Sequence, residues 1–172
     1  AVMLRSIDGA GGLGALLADS RKNAVVLGPG CGVGEPTRLL VEAALAGVRA
    51  VVLDADALTS FAEAPERLFG ALRRRGGGDA VLTPHEGEFA RLFPAMTGSK
   101  LDRARQAATR AGAVVLLKGP DTVVAGPDGF ATIADSAPAQ PSDRSRSPAI
   151  AGSSAASATM NSAVCVPRRL PR

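Results

Sequence analysis

The chain has 172 residues, 46% of them apolar and 21% charged, and its 20 Lys and Arg outnumber 16 Asp and Glu for a formal charge of +4. Those values suit one globular domain, and no run reaches the roughly 20 apolar residues of a membrane helix; the start has no charged segment leading into an apolar one, so no leader is expected either. The positive charge suggests nucleic-acid binding, but aromatic residues for base stacking make up only 3% of the chain and the arginines are dispersed or in the tail, which argues against it.

In chain order, the first feature is a glycine cluster from Gly9 to Gly14, to which no element is assigned. Val25-Val26-Leu27 is a short, β-branched, continuous apolar run of the kind that forms a buried strand. It opens into Gly28-Pro29-Gly30-Cys31-Gly32-Val33-Gly34. A helix is predicted over Glu35 to Ala46, with proline in its first turn and Gly47 as its stop. Ala50-Val51-Val52-Leu53 is a second strand, ending in Asp54-Ala55-Asp56. Arg73-Arg74-Arg75 reads as the cationic end of a further helix before the Gly76-Gly77-Gly78 loop. Ala80-Val81-Leu82 is a third strand and runs into Thr83-Pro84-His85-Glu86-Gly87-Glu88-Phe89, which holds the single histidine. Leu101 to Arg110 has helical spacing and Gly112 as its stop, and Val114 to Leu117 is a fourth strand leading to Lys118-Gly119-Pro120-Asp121-Thr122. After about Ile133 the chain turns rich in Ser, Ala, Pro and Arg and loses its periodicity, so residues 1–133 are read as a partial domain and 134–172 as a low-complexity tail that is either disordered or read from a shifted frame. No internal repeat is present.

Strands alternating with helices imply an α/β fold with a parallel sheet, in which ligands bind at the carboxyl ends of the strands. Three punctuated junctions fall at those ends. The glycine-rich loop precedes a helix, so its backbone can approach a ligand closely and its amides can face an anion; it matches neither G-x-G-x-x-G nor a P-loop, and a tight turn explains it equally well. Asp54 and Asp56 would point to one side of an extended chain and could position a hydroxyl or a hydrated magnesium ion, or cap the next helix. Glu86 and Glu88 are site groups or first-turn acids facing a helix dipole. A lone histidine is more often a surface or satisfied core residue, but His85 sits where sites sit. Lys118 to Thr122 suits a nucleotide's phosphates or ribose, or a plain hairpin turn. Two cysteines, Cys31 and Cys165, form neither a disulfide framework nor a metal spacing, so a reducing cytoplasm is the expected location.

Taken together and in order, Gly28-Pro29-Gly30-Cys31-Gly32, Leu53-Asp54-Ala55-Asp56-Ala57-Leu58, Leu82 to Phe89 and Leu117 to Thr122 resemble one family, the ADP/ATP-dependent NAD(P)H-hydrate dehydratases of the ribokinase-like superfamily. The resemblance runs from about Val2 to Ile133. It implies a ribokinase-like parallel-sheet sandwich with helices on both faces, here incomplete, and a repair reaction in which a nucleotide phosphorylates the hydroxyl of the hydrated nicotinamide ring. Loss of phosphate then regenerates NADH or NADPH. It also implies that Gly32 and His85 contact the NADH or NADPH hydrate, that Lys118, Gly119, Pro120, Asp121 and Thr122 hold ADP or ATP, that Glu88 lies near Mg2+, and that the enzyme is often homo-oligomeric. Glu86 stands where the family usually has proline. The family's Gly-Ser/Thr-Gly-Asp loop, with its anion-binding amides and basic aspartate, is not found; the nearest string is Ala151-Gly152-Ser153-Ser154-Ala155. Opening elements of the family fold are likewise not seen before Ala1. The expectation is therefore a dehydratase by ancestry whose own turnover is absent, with a non-catalytic fragment or a kinase of a vitamin-precursor alcohol as alternatives.

Overall fold

The computed structural model describes residues 5–75 and 79–135 and the backbone of residues 162–164. The four apolar runs form parallel strands within a residue of the limits expected, β1 (Ala24–Leu27), β2 (Ala50–Leu53), β3 (Ala80–Leu82) and β4 (Val114–Leu117). An antiparallel hairpin, β5 (Asp121–Ala125) and β6 (Ala131–Asp135), extends the sheet past β4. Within the stretch expected to be disordered, Ala134 and Asp135 end β6 and Ser162–Val164 pair in parallel with β1 as β7, and the rest of that stretch lies outside the described residues. The sheet order is β6-β5-β4-β3-β2-β1-β7.

Between the strands run α2 (Glu35–Leu45), α3 (Asp56–Thr59) with α4 (Pro65–Arg73), and α5 (Glu86–Leu92) with α6 (Lys100–Ala111). The expected helices at Glu35 and Leu101 are α2 and α6, and Gly112 is the C-cap of the latter. Before β1 lies α1 (Gly9–Leu17), which the glycine cluster concealed. Glycine disfavours helix interiors by about 1 kcal/mol each, but Leu13 and Leu17, one turn apart, bury against α2 and outweigh that cost.

Crossovers that all step in one direction with right-handed sense put their helices on one side of a sheet. Accordingly α2, α4 and α6 pack together, with α1 on α2 and α3 against α5. The strand residues on one face, Leu27, Leu53, Leu82 and Val115 in one register row, are fully buried. Their alternates Val26, Val52, Val81, Val114 and Leu116 are only half-buried, because the described residues supply no helix layer on that second face. The helical layer is locked by Phe69 stacked on Phe93 at 5.1 Å between ring centroids and Phe93 against Phe89 at 5.0 Å.

Candidate active site

Parallel register brings the ends of β1 to β4 to one edge of the sheet. The ladder continues one step beyond the strands: Asp54 N donates to the Leu27 carbonyl at 3.0 Å, Thr83 N to the Leu53 carbonyl at 3.0 Å, and Lys118 N to the Pro84 carbonyl at 2.9 Å. The glycine loop, the aspartate turn, the histidine turn and the lysine turn are thereby set side by side along that edge.

The glycine loop is a product of close packing. Gly28 has φ 133°, and a Cβ there would lie 1.7 Å from the Asp54 carbonyl oxygen, so no other residue fits where β1 and β2 exit together. Gly32 has φ 78° and open space where a Cβ would be. Its amide donates to Asp56 Oδ2 at 2.8 Å and its carbonyl accepts from Thr37 Oγ1 at 2.5 Å. Cys31 N is bonded to the Gly28 carbonyl at 3.0 Å and Gly34 N to Ser60 Oγ at 3.1 Å. The expectation that the loop's amides face an anion is thus corrected for Cys31, Gly32 and Gly34: they satisfy one another and α3. What Gly32 offers a ligand is bare surface. Burial pushes the Cys31 thiol above its ordinary value, which lowers its thiolate fraction.

The histidine turn is a capping box. His85 is the N-cap of α5, its Nδ1 accepting from Gly87 N at 2.9 Å and Glu88 N at 3.4 Å, while Glu88 Oε2 accepts from His85 N at 2.8 Å. An imidazole whose Nδ1 accepts carries its proton on Nε2. His85 keeps 56% of its side-chain surface exposed, whereas Glu88 keeps 6%, so His85 faces the edge and Glu88 anchors it from beneath. Glu86, the alternative first-turn acid, is drawn away by a bidentate pair with Arg103 at 2.9 and 3.1 Å.

At the lysine turn, Lys118 Nζ lies 2.7 Å from Asp54 Oδ1, an ion pair reaching across the end of β3. Burial opposes ionisation of Asp54, yet hydrogen bonds from Lys118 and Thr83 outweigh it and hold the carboxyl below its ordinary value of 3.8. Asp54 and Asp56, expected on one side, thus serve opposite neighbours. Ala55 between them has φ 46° and ψ −118°, and Asp56 already belongs to α3, so the chain is not extended there. The rest of the lysine turn does form the hairpin between β4 and β5, with Pro120 exposed and Thr122 Oγ1 3.4 Å from the Gly119 carbonyl. Lys100, at the first turn of α6, bonds the Asp121 carbonyl and lies 3.4 Å from its carboxylate. The sequence carries no signal for that second cation, because a lysine after a helix cap is the most ordinary of surface residues.

Among the described residues, no group of three His, Cys, Asp or Glu could hold a metal ion. Glu88, the residue matched to magnesium, has one oxygen bonded to the His85 amide and the other 3.5 Å from its imidazole. That donor set does not fit a direct ligand. Magnesium retains several waters in nucleotide sites, and only a role through that water shell is compatible with Glu88.

The fold and this edge define an α/β protein whose motif residues gather at the carboxyl ends of parallel strands, the place where such sheets bind ligands. A family model described as NAD(P)H-hydrate dehydratase matches residues 6–141, and the chain belongs to that family. It is 44% identical over 122 residues to the bifunctional NAD(P)H-hydrate repair enzyme Nnr of Synechocystis sp., covering 70% of this chain and 22% of that protein. It is 38% identical over 117 residues to the ADP-dependent (S)-NAD(P)H-hydrate dehydratase of Xanthomonas campestris, covering 65% and 37% respectively. The structure of an ADP/ATP-dependent NAD(P)H-hydrate dehydratase from Bacillus subtilis co-crystallized with ATP/Mg2+ matches with a TM-score of 0.54 and 29% identity, over 66% of this chain and 39% of that one. The chain therefore spans well under half the length of these relatives.

Proposed function

We propose that the chain carries the ligand-receiving edge of a nicotinamide-nucleotide repair enzyme, one that dehydrates NADH or NADPH hydrate in the cytoplasm at the expense of ADP or ATP. The hydrate would lie on the bare surface of Gly32 and against the exposed imidazole of His85, whose Nε2 also has Glu88 Oε1 at 3.5 Å. The adenine nucleotide would lie along Lys118, Gly119, Pro120, Asp121 and Thr122, its phosphates toward Lys118, with Mg2+ arriving on the nucleotide and meeting Glu88 only through water. One observation carries this reading: Gly32, His85 and Lys118, which belong to three different junctions of the sequence, stand along one edge of adjacent parallel strands. Phosphoryl transfer needs chiefly positioning and charge neutralisation, and a lysine is suited to the second.

Residues 1–172 contain no Gly-Ser/Thr-Gly-Asp string, and removing even one preorganised donor costs a hundredfold or more in rate. The expected result is binding without turnover. Calorimetric titration of the purified chain with ADP, ATP and NADH hydrate should give heats of binding, and NADH absorbance should not recover when hydrate and nucleotide are mixed with it. A chain that binds none of the three ligands contradicts the proposal.

A further inference from the structure

Resting on that reading, we infer that Asp54 and Asp56 are positioning residues, a brace at the end of β2 that separately holds the two arms of the edge. Asp54 grips the lysine that faces the nucleotide, at 2.7 Å. Asp56 grips the amide of the glycine that faces the hydrate, at 2.8 Å. Neither carboxylate is required to touch a ligand.

The geometry of the turn supports a divided role. Two acids separated by one residue in an extended strand project to the same side. Here they serve neighbours on opposite sides, Lys118 in the turn after β4 and the loop that follows β1. The chain achieves this by placing Ala55 at φ 46° and ψ −118°, a conformation that costs a residue with a Cβ on the order of 1–3 kcal/mol and persists where the surroundings impose it. The turn is also clamped from outside, since Gly28 packs against the Asp54 carbonyl and Ser60 Oγ donates to the Asp56 carbonyl at 2.6 Å. Without Asp54, Lys118 loses its fixed partner and a four-carbon stem is left to find its own rotamer. Without Asp56, the Gly32 amide loses its acceptor and the loop's open surface shifts relative to His85.

The brace makes a crossed prediction for the whole 172-residue chain, titrated with ADP and separately with NADH hydrate. Asp54→Asn should weaken ADP by about tenfold or more, the scale of a charge-assisted hydrogen bond, and leave the hydrate within about twofold. Asp56→Ala, which removes the acceptor of the Gly32 amide, should do the reverse. Asp54→Glu, which restores the charge, should recover part of the ADP affinity lost in the amide variant. General structural damage would weaken both ligands together, so circular dichroism and the crossed pattern distinguish positioning from misfolding; Asp54→Ser and Asp56→Ser take the place of either variant if it does not fold. Parallel loss of both ligands, or unchanged affinity for both, overturns the brace alone. Failure of the unsubstituted chain to bind either ligand overturns the proposed function and this role with it.

Discussion

The glycine loop after β1 and the lysine turn after β4 occupy equivalent places in the sheet but are built on opposite principles. At the first, backbone polar groups are consumed internally: the amides of Cys31, Gly32 and Gly34 and the Gly32 carbonyl all have partners within the fold. What Gly32 leaves for a ligand is shape, the space where no Cβ stands. At the second, the backbone is an ordinary hairpin and the chemistry rests in side chains, Lys118 held by Asp54 and Lys100 beside Asp121. One arm should therefore be sensitive to added atoms and the other to lost charge.

The largest effect expected from this contrast is at Gly28. Gly28→Ala drives a methyl into the Asp54 carbonyl, whose oxygen would be 1.7 Å away, at a φ of 133° that disfavours any Cβ. Overpacking and backbone strain together should cost about 3 kcal/mol or more, measured by urea denaturation. A variant as stable as the parent would show that the β1 and β2 exits are looser than described. The corresponding change on the charged arm, Lys118→Ala, should lower stability modestly, because it leaves the part-buried Asp54 without its cation, and should cost about 1.5–3 kcal/mol in ADP binding, tenfold or more in affinity. That arm also has a sign in pH. Because the folded-state value of Asp54 lies below its ordinary 3.8, its contribution is present throughout neutral pH and disappears as acid drives the pH down through the lowered value. The ratio of ADP affinities between the parent and Asp54→Asn should stay constant from about pH 5 to 8, where the nucleotide's own phosphate titrates equally in both, and a ratio that collapses toward acid in that window would mean that Asp54 is not held ionised by Lys118.

The same contrast explains what could be read in the sequence. Strands β1 to β4 were legible because each is a short apolar run, and the helices at Glu35 and Leu101 because their start and stop residues are explicit, whereas β5, β6 and β7 were not read. The junctions that hold Gly32, His85 and Lys118 followed from the rule that strand ends carry sites, and the choice of those three residues from the family resemblance. The division between Asp54 and Asp56 did not follow, since it depends on one unusual backbone conformation at Ala55, a residue whose identity announces nothing. Helix α1 was obscured for a related reason: its four glycines argue against a helix locally, and only the tertiary burial of Leu13 and Leu17 reverses that. Half-exposure of Val26, Val52 and Val81 was equally invisible, because a continuous apolar run states that both faces of a strand are hydrophobic and not that both are covered.

His85 lies between the two arms and tests which principle governs the middle of the edge. As an N-cap it should be worth about 1 kcal/mol, so His85→Ala should lower stability by that amount. Asparagine is a good cap that lacks the imidazole, and His85→Asn should keep the stability of the parent. If His85 also donates to the hydrate, the asparagine variant will still bind NADH hydrate more weakly, by about tenfold for one lost hydrogen bond to a polar group. Equal hydrate affinity in parent and asparagine variant would reduce His85 to a structural cap.

The smallest effect concerns the strain at the turn itself. Ala55→Gly removes a Cβ from a φ of 46°, which relieves about 1–2 kcal/mol of left-handed penalty while adding about 0.5–1 kcal/mol of unfolded-state entropy for glycine. The net expectation is a gain of up to about 1 kcal/mol, visible as a modest rise in melting temperature. The same change frees the link between the two aspartates, so ADP and hydrate affinities should each fall slightly although the fold becomes more stable. Stability and binding moving in opposite directions would show that the turn's strain serves the edge. If both rise together, the Ala55 conformation is a packing consequence and the two arms are positioned independently of it.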